Sequence, residues 1–162
     1  MTCTREALLS RLAELDIDAT TVHHRPMHTV EDGEVILKDL PGGRCKSLFL
    51  KDKKDALWLV IMLGEDRLDT GALQKNLSSA RLSFAKPSLM RSVLGVEPGS
   101  VTPFAVINET AQAVQVILQR RMMGMDLLNY HPLRNDATTT LSPSGLLKFL
   151  SAMGHDPFII DF

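Results

Sequence analysis

Residues 57–63 read Leu-Trp-Leu-Val-Ile-Met-Leu, an unbroken apolar run. A strand of this kind has no polar face, so it belongs in the middle of a sheet, covered on each side by helices or by the sheet's own curvature. A shorter run at 45–50 precedes it across the charged stretch Lys51-Asp-Lys-Lys-Asp55, and together they predict a β-hairpin with a longer loop.

The remaining segments supply the cover. Thr4 caps a first helix, with Glu6 in its opening turn and Leu8, Leu12 and Leu15 at helical spacing as a buried, packing face. A β-branched strand follows at 20–24, and Arg25-Pro26 then forces an extended or turn conformation. Thr29 caps a second helix, weakened by Gly33 and ended by Pro41-Gly42-Gly43. Further on, the pattern predicts a helix at 69–77, a strand at 81–85 and a helix at 87–94 with Pro87 in its first turn. Extended pieces are expected at 113–119, 127–132 and 138–141. Ser142 and Pro143 then open a helix that runs to about Met153, Gly154 ends it, and 157–162 forms a last strand. Strands and helices mix without strict βαβ alternation, which predicts an α+β fold with a mixed, curved sheet. No repeat or linker divides the chain, so residues 1–162 form one domain.

The composition narrows the functional classes. A formal charge of −1 is incompatible with a broad basic surface that holds duplex nucleic acid by counterion release, so any nucleic-acid contact is local. Only two cysteines occur, Cys3 and Cys45, too few for a disulfide framework or thiolate metal cluster, and both are expected as reduced thiols. No apolar run approaches the roughly 20 residues needed to span a bilayer. The charged start, Met1-Thr-Cys-Thr-Arg-Glu, carries no leader pattern, and a cytoplasmic location is expected.

Familiar catalytic signatures are missing: there is no Gly-x-Ser-x-Gly elbow, no phosphate loop and no His-Glu-x-x-His. Three other segments can carry chemistry. The loop from Gly95 to Pro103 is kept irregular by its glycines and prolines, and it either presents backbone N–H groups to a carbonyl oxygen or simply connects two elements rigidly. Lys46 at a strand start either aims an ammonium at a phosphate or protects a sheet edge. His131 and Asn135 either orient a ribose, ester or water, or satisfy their own loop. His23, His24 and His28 read as strand-end and turn residues rather than metal ligands.

In combination, Lys46-Ser-Leu-Phe-Leu, Gly99-Ser-Val-Thr-Pro103 and His131-Pro-Leu-Arg-Asn-Asp-Ala-Thr-Thr-Thr140 resemble, in order, the YbaK/prolyl-tRNA synthetase editing-domain family. The likeness runs from Val22-His-His-Arg-Pro to Gly154-His-Asp-Pro157 and is nearest to freestanding deacylases that clear alanine from tRNA for proline. It implies a curved sheet forming a partly open barrel flanked by helices, a pocket for the 3′ end of aminoacyl-tRNA, and ester hydrolysis without metal or cofactor. Lys46 would engage the terminal nucleotide. Gly99, Ser100, Val101, Thr102 and Pro103 would lie beside the aminoacyl group, with His131 as the orienting side chain. Pro26, His28, Thr29, Lys46, Asn135 and Thr138 are the expected substrate-binding residues. A neighbouring ribose hydroxyl would activate the water. The resemblance makes alanine, rather than cysteine, serine or another small residue, the expected amino acid; size argues only for a small pocket, which excludes proline's ring sterically whereas a large one rejects alanine by only about 1–3 kcal/mol per methylene. Cysteine removal from the same tRNA, and a noncatalytic module binding tRNA or protein, are the alternatives. A synthetase is a possible transient partner. Arg44, Lys51, Lys53 and Lys54, diluted by Asp52 and Asp55, either cluster near the site to meet the acceptor stem or form a solvated hairpin tip.

Overall fold

The computed structural model describes residues 2–162. The hairpin forms as expected from β2 (Gly43–Asp52) and β3 (Leu57–Leu63), antiparallel from Cys45↔Leu63 to Lys51↔Leu57. On its other side β3 pairs in parallel with β5 (Val114–Gln119), so the apolar strand is central. Its alternate residues divide between two cores. Leu59, Ile61 and Leu63 join a large cluster with Phe49, Phe104 and Phe149, while Trp58 and Val60 join a smaller one with Leu73 and Leu82.

The full path of the mixed sheet begins at β1 (Ala19–His23) and passes through β7 (Ala137–Leu141) and β6 (Leu128–Tyr130) to β2, β3 and β5. It finishes at β8 (Phe158–Ile160), and its two ends do not pair, leaving a curved sheet rather than a closed barrel. Helix α1 (Arg5–Glu14) and helix α6 (Pro143–Ala152) cover the large core with Leu8, Leu12, Leu146, Phe149 and Leu150. Helix α3 (Thr70–Leu77) covers the smaller one with Leu73.

The edge of β2 away from β3 is shared. Strand β6 pairs only with Gly43 and Arg44, while β4 (Leu82–Phe84) pairs with Leu50, Lys51 and Asp52. Between them the edge is left without a strand partner, and the sheet opens there. The gap begins where β6 ends, at Tyr130, because Pro132 lacks the N–H that a longer strand would need.

Several elements differ from expectation. The helix expected at 87–94 is a single α turn, α4 (Pro87–Leu89), followed by a wider π-helical stretch (Met90–Leu94) that Gly95 ends at φ +68°. Helix α1 stops at Glu14, and Leu15 serves as its half-buried cap. Helix α2 (Val30–Ile36) continues through Gly33, because Thr29 and Asp32 form a reciprocal capping box that offsets glycine's poor helix propensity. Unforeseen single turns occur at α5 (Arg120–Met123) and in the 3-10 segments Pro103–Ile107 and Glu109–Ala111.

Ile61 is fully buried in the strand on which both cores rest. Ile61→Ala is expected to destabilise the protein by about 2–5 kcal/mol, read from the urea unfolding midpoint.

Candidate active site

A cavity of about 840 Å³ lies at the opening beside β2. That volume is within the range of small-molecule sites, roughly 300–1,000 Å³. Cys45, Lys46 and Ser47 line it from β2, Tyr130 and His131 from the end of β6, and Thr138 from β7. Pro98, Gly99 and Val101 enter from the long loop, and His28, Thr29, Glu34 and Leu37 from α2 and the chain leading to it.

Lys46 is half-buried, and its Nζ donates to the carbonyl oxygen of Asp66 at 2.5 Å, which uses one of three ammonium protons and leaves two for a ligand. The turn carrying that carbonyl is itself held. Asp66 accepts from Gln119 Nε2 at 2.7 Å and from Arg121, and these hydrogen bonds, Arg121's first, keep its carboxyl below the usual range. Gln119 is buried, and its Oε1 accepts from the Leu63 amide at 2.9 Å. Lys46 is thus positioned from β3 and β5, two strands away in sequence.

The long loop is pinned at both ends. At its entry, Asn108 donates to the Leu94 carbonyl at 2.9 Å and accepts from the Cys3 amide at 2.7 Å. A side chain at Gly95 would meet Thr2 at 2.6 Å. At its exit, Pro103 starts a buried 3-10 turn, and Phe104 packs edge-on against Tyr130 and Phe149 at ring separations of 6.0 and 5.3 Å. Gly99, at φ +89°, makes the bend between them. Ser100 donates its amide to Glu97 at 2.9 Å, but among the described residues the amides of Gly99 and Val101 have no acceptor within the chain. Ser100, Thr102 and Pro103 are buried in the loop's own packing and do not line the cavity.

His131 is partly buried, and its Nδ1 lies 3.0 Å from the carbonyl of Ala137. A carbonyl only accepts, so Nδ1 carries the proton and the neutral ring leaves Nε2 as an acceptor. Burial lowers the pKa of this ring, with His24 adding a smaller effect in the same direction, while the Ala137 hydrogen bond and Asp136 oppose it. The turn that carries it is anchored by Asp136, which accepts from Arg5 of α1 at 2.6 Å and from Arg134 at 3.0 Å. Leu133 holds a left-handed φ of +73° within that turn.

Pro26 is exposed outside the cavity lining. Asn135 is also outside it: the side chain donates to the Met27 carbonyl at 2.8 Å, its own carbonyl accepts from the Met27 amide at 3.0 Å, and it therefore clamps the chain leading to α2. Of the expected basic cluster, Arg44 lines the cavity, whereas Lys51 pairs with Asp55 at 3.3 Å and, with Lys53 and Lys54, occupies the other end of β2. Burial pushes the Cys45 thiol up to about 11, so it is no thiolate nucleophile at neutral pH. Among the described residues, no three His, Cys, Asp or Glu side chains gather as a metal-binding group, and no helix is long and apolar enough to cross a membrane.

The model of the aminoacyl-tRNA editing domain matches residues 24–149, a span that contains the whole cavity lining. The chain belongs to that family. Prolyl-tRNA synthetase associated domain-containing protein 1 of Xenopus laevis is 37% identical over 163 residues, with 98% of this chain and 96% of that protein aligned. Prolyl-tRNA editing protein ProX of Acetoanaerobium sticklandii is 32% identical over 152 residues, covering 93% of each. A solved structure presented as a candidate trans-editing enzyme for prolyl tRNA synthetase superposes with a TM-score of 0.75 at 17% identity, over 99% of this chain and 98% of that one, a likeness of fold.

Within this editing domain, Asp66, Gln119 and Arg121 escaped sequence reasoning because they meet Lys46 only through strand pairing. His24 escaped because a strand-end histidine carries no local sign that its ring reaches Thr138. A glutamine within an apolar strand, Val114-Gln-Val-Ile-Leu-Gln119, was the one available signal for the former.

Gln119→Leu removes the partner of a buried amide at Leu63 and the donor to Asp66. It is expected to cost about 1–3 kcal/mol of stability, measured by denaturant unfolding.

Proposed function

We propose that this editing domain acts in trans as a deacylase, hydrolysing the ester that joins alanine to the 3′ end of tRNA for proline. The observation that carries this reading is that one cavity is lined by Lys46, with two ammonium protons left, by Gly99 and Val101, whose amides are uncommitted, and by His131, whose Nε2 is an acceptor. The names carried by the Acetoanaerobium and Xenopus relatives support the choice of tRNA.

Each group answers one demand of ester hydrolysis. Lys46 holds a phosphate of the terminal nucleotide with its two remaining protons. The Gly99 and Val101 amides receive the charge that develops on the carbonyl oxygen when water adds to the carbonyl carbon. His131 accepts a hydrogen bond from that water through Nε2 and orients it, while the neighbouring ribose hydroxyl takes up the proton. Collapse of the adduct breaks the ester C–O bond, the proton passes to the leaving ribose oxygen, and free alanine departs. The apolar part of the lining, including Leu37, Met90 and Val101, limits the space beside the ester and favours a small side chain over proline's ring.

Hydrolysis assays with tRNA for proline charged with alanine, cysteine, serine or proline test the reading, and alanine is expected to be released fastest. Cleavage of cysteine with alanine spared would overturn the specificity, and hydrolysis of none would leave a binding module. Lys46→Ala is expected to slow alanine release by about tenfold or more, the loss of a charge-assisted contact, with little change in thermal unfolding. The neutral His131 ring is required as an acceptor, and its depressed pKa keeps it neutral through pH 7. The rate should therefore hold as pH falls to about 6.5, the ordinary imidazole value, and decline only below it. His131→Gln should abolish that acid-side decline.

A further inference from the structure

Thr138 is 2% exposed, yet it lines the cavity. Its hydroxyl oxygen lies 2.8 Å from Nε2 of His24, and Nδ1 of the same ring lies 2.7 Å from the carbonyl of Arg25. The Arg25 carbonyl only accepts, so in the neutral ring Nδ1 carries the proton and Nε2 must receive one. The hydroxyl proton of Thr138 is thereby committed to His24, and what remains on that oxygen is lone pairs. His24, which does not itself line the cavity, turns a group that normally both donates and accepts into an acceptor only.

Several other polar groups of the cavity are committed differently. Asn129 donates to the carbonyls of Pro41 and Gly43 and accepts from Thr140. Thr29 accepts from the Asp32 amide in its cap. The Lys46 ammonium offers donors only, and the amides of Gly99 and Val101 are donors. Glu34 and Glu65 are exposed at the rim. His131 stands one step beyond the Tyr130↔Thr139 pair of β6 and β7, across from Thr138. The wall built by β7 thus offers a buried acceptor beside the residue assigned to the water.

An aminoacyl ester carries a donor next to its carbonyl carbon, the α-amino group, and an ester lacking it carries none there. We infer that Thr138 Oγ1 receives the α-amino group of the aminoacyl ester, with His24 as the positioning residue that fixes the hydroxyl's polarity. The site therefore selects α-amino esters over otherwise identical acyl esters. This rests on the deacylase reading above and adds to it the feature of the acyl group that is recognised.

Propionyl-tRNA for proline has the size of the alanyl ester and lacks only the amino group. Each ester's kcat/KM is divided by its spontaneous hydrolysis rate, which removes the amino group's intrinsic effect on ester reactivity. The wild-type enhancement is expected to be at least about tenfold greater for the alanyl ester, the scale of a hydrogen bond to a charged group. In His24→Phe, which keeps an aromatic ring but cannot accept the Thr138 proton, that preference should collapse towards unity. Thermal unfolding checks that the variant folds. Thr138→Val, of nearly equal shape, carries the same expectation if it does not, and Thr138→Ser should restore the preference. Equal wild-type enhancement for both esters, or a preference that survives in both His24→Phe and Thr138→Val, overturns the inference while leaving the deacylase intact. Failure of the wild type to hydrolyse either ester overturns both.

Discussion

Strand β2 has two partners on one edge, and neither runs its length. Strand β6 takes the first two residues and β4 the last three, so Cys45, Lys46 and Ser47 between them face the cavity rather than a neighbouring strand. Unpaired strand edges are ordinarily liabilities that charged side chains and covering loops must blunt. Here Lys46 supplies the charge, and the Gly95–Pro103 loop lies over the opening. The same break in pairing that opens the sheet also brings loop amides, a lysine and the turn after β6 to one place. The central strand β3 keeps this geometry rigid by filling two cores at once.

Much of the frame was legible because its signals are local. Thr4, Thr29 and Ser142 cap helices within a few residues of where they stand, and the apolar run of β3 permits no exposed face. The 3-10 turn at Pro103 was not legible, since its Phe104 seats among Tyr130 and Phe149, residues distant in sequence, and the π-helical stretch at Met90–Leu94 carries no local sequence signal. Strand β4 is held in register by β2 and by Gln74, which accepts from the Leu82 amide at 2.9 Å.

For the site, residue types and order pointed to Lys46, the Gly99 loop and the turn at His131, and these line one cavity. Their division into lining and support was not visible. Ser100, Thr102, Pro103 and Asn135 sit in segments whose neighbours face the cavity, but their own hydrogen bonds and burial turn them inward. A linear pattern identifies the segment, whereas alternation and turn geometry choose the residue. Supporting groups such as Gln119 and Asp136 act from elements distant in sequence.

Arg5 reaches Asp136 across almost the whole chain, and β1 pairs with β7 from Ala19↔Leu141 to His23↔Ala137. These contacts have high sequence separation, and loop closure makes such pairings slow to form. During synthesis β1 emerges more than a hundred residues before the strand it needs. The β7 wall of the cavity can take shape only when nearly all of the polypeptide has left the ribosome, so a shortened product ending before β7 would lack that wall even with the β2–β3 hairpin already made.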